Sequence, residues 1–157
     1  MPKVLIVYYS RSGNTEKMAQ LVAKGVKKTE VEVETKKVNE LNVDELLKVE
    51  GVILGSPTYF GVMAAEMKQF VDKSIKYFGK LGGKVGGAFA TSGGIGGGNE
   101  TTIFSMIEAL LIHGMIIQGT TKGGHYGPVA IGAPDKRVEE ECIALGERVG
   151  ALVKKLF

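Results

Sequence analysis

A chain of 157 residues with 44% hydrophobic and 24% charged side chains has the length of one compact domain and the composition of an ordinary globular protein, which excludes disorder and collagen-like structure. Twenty Lys and Arg against 17 Asp and Glu leave a formal charge of +3, too small an excess to point to nucleic acid. The single cysteine, Cys142, excludes an intramolecular disulfide and a cysteine-rich zinc site and fits a reducing, cytoplasmic setting, and no apolar run is long enough to span a membrane.

In chain order, residues 3–9 form a continuous apolar, β-rich run, as expected of a strand buried on both faces. From Asn14 the period changes, with Met18, Leu21, Val22 and Val26 at helical spacing. Val31, Val33 and Thr35 alternate with charged residues, which reads as an edge strand, and a weak helical piece follows over residues 43–48. Residues 51–55 supply a short buried strand. Ala64, Met67, Phe70, Val71, Ile75 and Phe78 make the stripe of a long helix ended by Gly79. A strand over 84–91, a helix from Asn99 or Glu100 to His113, a strand over 115–120 and a helix from about Arg137 to Leu156 complete the series.

Five strands alternating with helices predict a doubly wound α/β sandwich of three layers, with one parallel sheet and a single domain over residues 1–157. Ligands of such sheets sit beyond the carboxyl ends of the strands. The loops after the first, third, fourth and fifth strands are therefore the candidates for a site.

The first is Ser10-Arg11-Ser12-Gly13-Asn14-Thr15, rich in hydroxyls and leading into a helix N-terminus, where free N–H groups and the dipole favour an anion. It lacks the lysine of a nucleotide-triphosphate loop and the glycine spacing of a dinucleotide site, and the only cysteine is too distant to be a phosphatase nucleophile. A monophosphate held without being attacked fits; the plainer reading is a polar turn capped by Ser12. The second is Ser56-Pro57-Thr58-Tyr59-Phe60-Gly61, whose aromatics stack on a planar ligand, or whose Phe60 packs inward. The third holds five glycines in the six positions 93–98, offering bare amides to the edge of a heterocycle, or forming a flexible surface loop. The fourth, Lys122-Gly123-Gly124-His125-Tyr126-Gly127-Pro128, brings Tyr126 to the other side of a ring and His125 to its rim. His113 suits the dipole at a helix C-terminus, and Cys142 lies on an apolar stripe and belongs to the core. These loops take up much of the unusual glycine content, 23 of 157 residues. Gly82, Gly83, Gly86 and Gly87 lie elsewhere, around the start of the fourth strand, and suggest close packing there.

Taken together, these segments resemble the flavodoxin-like family over essentially the whole chain. Tyr9 to Thr15 is similar to that family's flavin phosphate loop. Residues 56–61, 64–72, 92–101 and 113–115 look more like a short form of its NAD(P)H:quinone oxidoreductase branch, the tryptophan-repressor-binding-protein-like chains. The resemblance implies a sheet of order 2-1-3-4-5 and non-covalently bound FMN. Ser10, Arg11, Ser12, Gly13, Asn14 and Thr15 would hold the phosphate. Thr58, Tyr59, Phe60 and Gly61 would meet the isoalloxazine from one side, and Ser92, Gly93, Gly94, Ile95, Gly96 and Gly97 from another, with Tyr126 as a further cover. No catalytic or metal-binding residue is implied. Around the loops stand Arg11, Lys122 and His125 where short flavodoxins carry acids, and the insertions that help the quinone-reductase branch form tetramers are missing or shortened. Three functions stay open. One is an electron carrier serving a redox partner protein. Another is an FMN-dependent NAD(P)H:quinone oxidoreductase acting on a small quinone and a nicotinamide, as a homo-oligomer or alone. The third is a non-redox module for a phosphorylated ligand.

Overall fold

The computed structural model describes Met1–Phe157. The chain runs β1 (Lys3–Tyr8), α1 (Asn14–Lys27), β2 (Glu32–Lys37), β3 (Gly51–Tyr59), β4 (Val62–Met63), α2 (Ala65–Lys73), β5 (Val85–Ser92), α3 (Asn99–Ile112), β6 (Ile116–Ile117), β7 (Val129–Ile131) and α4 (Lys136–Leu156). Parallel strands lie in the order β2-β1-β3-β5-β6, and β7 also pairs in parallel with β5. This is the doubly wound flavodoxin-like arrangement, with the fifth position of the sheet shared by two short pieces.

The continuous apolar runs follow from having both faces of the sheet covered. Alternate residues point to opposite sides. Leu5, Val7, Val52, Leu54 and Ala88 pack with Met67 and Phe70 of α2 and with Ile103, Met106 and Leu110 of α3. Val4, Ile6, Ile53 and Phe89 pack with Met18 and Val22 of α1 and with Cys142, Leu145 and Val149 of α4. Cys142 is core, as its stripe predicted, and burial, with Glu141 and Glu139 adding to it, pushes its thiol up to about 12.

Helices α1 and α4 touch backbone to backbone. A Cβ on Gly25 would lie 2.1 Å from the carbonyl oxygen of Ile143, and one on Gly146 would lie 2.0 Å from that of Val22. Of the four glycines around the start of β5, Gly86 is tight against the side chains of Leu110 and Ile117 and Gly87 against those of Leu145 and Val149, whereas Gly82 and Gly83 have room for a side chain and close packing does not explain them.

Three elements differ from the sequence reading. The expected strand over 115–120 pairs only at Ile116–Ile117; residues 118–128 leave the sheet, and the chain returns as β7. The return is set by Gly127, where a Cβ would lie 2.1 Å from the carbonyl oxygen of Ala88, and by the Ala90 N–H, which donates to the Pro128 carbonyl at 3.1 Å. The long helix expected to reach Phe78 ends at Lys73. Ser74 turns its hydroxyl onto the Val71 carbonyl at 2.6 Å and a 3-10 turn follows over Ser74–Tyr77, so Ile75 and Phe78 face solvent instead of the core. Finally, β3 runs on to Tyr59 and folds back through β4 as an antiparallel hairpin, where a plain loop was expected.

Candidate functional site

The carboxyl end of β1 passes directly into the first turn of α1. Gly13 takes the N-cap position in the left-handed region, φ +96°, so no side chain caps from there. The cap comes from Ser10, whose Oγ accepts the Gly13 N–H at 3.1 Å and the Glu16 N–H at 3.3 Å. Ser12, the cap of the plainer reading, makes no hydrogen bond within the protein. The N–H groups of Arg11, Ser12, Asn14 and Thr15 have no acceptor either. Four unmatched donors at the positive end of a 14-residue helix, with Arg11 in the same loop, are the chemistry that an anion needs. Behind them Thr15, 2% exposed, shares a hydrogen bond with Thr91 at the end of β5.

The second wall is the β3–β4 hairpin. Thr58 pairs with Met63 and Tyr59 with Val62, leaving Phe60 and Gly61 as a two-residue turn with φ of +51° and +79°. Positive φ at both central positions is what tight hairpin turns need, and for an aromatic residue it costs energy. Phe60 does not pack inward: its ring is fully exposed at 106%. Ser56 closes the base of the hairpin, accepting the Ala64 N–H at 2.8 Å and donating to the Pro57 carbonyl at 2.9 Å. The ring of Tyr59 meets Tyr9 edge-on at 6.5 Å.

The glycine loop after β5 makes the third wall. Ser92 Oγ accepts the Gly94 N–H and donates to the Gly94 carbonyl, and the Gly97 N–H donates to the same carbonyl at 3.3 Å. Those two amides are therefore spent on the loop itself. The N–H groups of Gly93, Ile95 and Gly96 have no acceptor and remain available.

A cavity of about 260 Å³ joins the walls, with Arg11, Ser12, Asn14 and Thr15 on one side, Thr58 and Tyr59 on another and Ser92 and Gly93 on the third. Phe60, Gly61, Gly94 and Gly97 belong to the bordering turns without lining it. Tyr126 lies elsewhere, because residues 118–128 interrupt the fifth strand position and do not follow it. Its ring packs on Phe104 at 4.6 Å, and with Ile95, Gly96 and His125 it lines a separate cleft of about 360 Å³. Pro57 and Thr91 also line the first cavity without having been given a role, and Gly132, which lines it too, lay outside every candidate loop. Gly132 ends the true last strand, and the apolar triplet Val129–Ile131 before Gly-Ala-Pro was its signal.

Burial, aided by the Glu16 carboxylate that accepts its hydroxyl at 3.0 Å, pushes Tyr8 up to about 12. Tyr9 is likewise raised by burial, then by Glu66. At neutral pH both phenols stay uncharged, and Arg11 is the one charged side chain that lines the cavity described above. His113, at the C-terminus of α3, is held by Ser74 at 2.7 Å, and its burial lowers its pKa. Burial thus favours the neutral ring, against the cation that the helix dipole would select.

The residues present fit a flavin nucleotide. The unmatched donors at α1 suit a terminal phosphate, and Thr58 Oγ1 is buried with no hydrogen-bond partner in the protein. An orphaned hydroxyl beside a cavity is a position where a ligand group completes the hydrogen bonding.

The sequence profile of the flavodoxin family matches residues 6–114, from β1 through the end of α3. This chain belongs to the flavodoxin family. It is 40% identical to a flavodoxin of Aquifex aeolicus, with 98% of this chain and 88% of that protein aligned. It is also 33% identical to an NAD(P)H dehydrogenase (quinone) of Archaeoglobus fulgidus, over 99% of this chain and all of that one. Among solved structures, a flavodoxin, WrbA-like protein from Agrobacterium tumefaciens superposes with a TM-score of 0.86 over the full length of both chains at 25% identity. Family membership makes this a flavin-binding redox protein. No helix of this flavodoxin-family chain is long and apolar enough to cross a membrane.

Proposed function

We propose that the flavin is FMN, held non-covalently, and that the chain carries electrons between redox partners. The observation that carries this reading is the set of four unmatched N–H groups of Arg11, Ser12, Asn14 and Thr15, which suits a single terminal phosphate, in a loop that lacks the lysine of a nucleotide-triphosphate site. When bound, the isoalloxazine supplies the electron transfer itself. The chain's own residues do the rest. Ser10 fixes the loop so that the donors converge, and Arg11 adds a positive charge that need not be desolvated from an acid partner. Gly93, on the cavity wall, offers an unmatched N–H to a ring edge, where it would stabilise negative charge that builds up on reduction. Thr58 supplies a hydroxyl already stripped of water, and Tyr59 an aromatic face.

Purified protein mixed with micromolar FMN is expected to quench the free flavin's fluorescence and to turn yellow on reconstitution. A protein that leaves FMN fluorescence unchanged overturns the proposal.

A second reading, an FMN-dependent NAD(P)H:quinone oxidoreductase, is favoured by full-length similarity to a relative named for that activity. Steady-state oxidation of NADH or NADPH with benzoquinone separates the two. Fast turnover by the pure protein selects the enzyme, and its absence in an FMN-loaded sample selects the carrier.

A further inference from the structure

The hairpin turn at Phe60–Gly61 does not stand free. It rests on the N-terminus of α3, where Gly98 occupies the N-cap with φ +100°. A Cβ built on Gly98 would come within 2.5 Å of the Gly61 Cα and 3.3 Å of the Gly61 nitrogen, a separation real side chains do not show. Thr101 completes the contact. Its Oγ1 donates to the Gly98 carbonyl at 2.9 Å and lies 3.6 Å from where a Gly61 Cβ would be. Two backbones are thus in van der Waals contact at the point where the strained turn, with an aromatic residue at φ +51°, meets the glycine loop.

We infer that Gly98 is a positioning residue: by allowing α3 to seat against the Phe60–Gly61 peptide, it fixes the conformation in which that turn borders the flavin site. The inference rests on the proposal that the cavity beside this turn holds FMN. Gly98 does not line that cavity and acts through Gly61. The other glycines of the loop do not share this role. Gly96 is also left-handed, φ +71°, but a Cβ there would meet nothing within 4 Å. Backbone strain from an alanine is therefore common to both positions, whereas the collision with the turn belongs to Gly98 alone.

That contrast supplies the experiment. Wild type, Gly98→Ala, Gly96→Ala and Thr101→Val are prepared without flavin, their amide spectra recorded, and then loaded with FMN for affinity and for the two one-electron midpoint potentials. Gly98→Ala is expected to move the Phe60 and Gly61 amide resonances in the apoprotein, weaken FMN by a factor of about ten, equivalent to roughly 1.4 kcal/mol, and change the separation of the two potentials. Gly96→Ala should leave the Phe60 and Gly61 resonances in place. Thr101→Val, at an exposed position that the fold tolerates, removes the donor to the Gly98 carbonyl and should shift the potentials in the same sense by less, which keeps the inference testable if Gly98→Ala does not fold. Equal shifts of the Phe60 and Gly61 resonances in Gly96→Ala and Gly98→Ala overturn it, as do unchanged potentials in Thr101→Val. Failure of the wild type to bind FMN would instead remove the cofactor proposal, and shows before any variant is made.

Discussion

The hydroxyl oxygens of Thr15 and Thr91 lie 3.0 Å apart in the interior, joining the first turn of α1 to the last residues of β5. The bond holds the phosphate-side loop against the strand from which the glycine loop departs, so two walls of the cavity share one buried pin. Thr91→Val keeps the shape and leaves the Thr15 hydroxyl buried without a partner. It should cost about 1 to 3 kcal/mol of stability. For a domain of this size each kcal/mol lowers the midpoint by roughly 2 to 4 °C, which thermal unfolding followed by circular dichroism will read; an unchanged midpoint would mean the pair contributes nothing.

Ser10 and Ser12 stand two residues apart and should behave oppositely. Ser10→Ala removes the acceptor of two N–H groups and should lower stability by about 1 kcal/mol, as loss of a helix cap does. Ser12→Ala breaks no bond within the protein, so its melting midpoint should match the wild type while FMN affinity falls. Calorimetric unfolding beside FMN titration of the two variants tests the division, and equal loss of affinity with equal destabilisation would contradict it.

The anion loop was legible because its chemistry is local: hydroxyls and one glycine between an apolar run and a helical period. The choice of Ser10 over Ser12 as cap was not, since it depends on how Gly13 turns the chain. The sheet was legible because Val4 to Val7 and Val85 to Ala90 are apolar without a break, which only a doubly covered strand requires. The split fifth strand was hidden: Val129–Ile131 pairs because Ala90 to Ser92 waits for it across the sheet, and three residues carry no period of their own. The hairpin turn was hidden for a different reason. Positive φ at its first position would be announced by Asn or Gly, and here the residue is Phe60.

Gly146→Ala should be among the more damaging single-methyl additions. The new Cβ meets a backbone carbonyl at 2.0 Å, which cannot move as a side-chain end can, so α1 and α4 must separate. Overpacking typically costs about 1 to 3 kcal/mol, and here the upper part of that range is expected. Ala144→Ser, exposed on the same helix, should stay within about 0.5 kcal/mol of wild type. Urea unfolding of both compares them directly, and equal midpoints would show that the helices can slide apart freely.

Alkaline pH should act through Tyr8. Its phenol has a reference pKa of 10.0 and is pushed up to about 12 in the folded chain. A raised folded-state value means its stabilising contribution is complete below pH 10 and is lost as pH climbs toward 12, because the unfolded chain releases the proton first. Tyr8→Phe should therefore flatten the decline of stability over that interval, as measured by urea midpoints at successive pH values. In the wild type, absorbance titration at alkaline pH should show one tyrosine ionising late, and its persistence in Tyr8→Phe would assign the late step elsewhere.

The interruption of the fifth strand bears on how copies of the chain meet one another. An outer strand with a long row of free N–H and C=O groups is a template for another chain to pair with. Here that border offers two residues at Ile116–Ile117 and three at Val129–Ile131, with residues 118–128 standing out between them. On the opposite border β2 alternates its residues with Glu32, Glu34 and Lys36, whose charges would be stranded by a neighbouring sheet. The split border offers little backbone to pair with and the charges along β2 discourage pairing on the other, two devices by which sheets limit edge-to-edge growth.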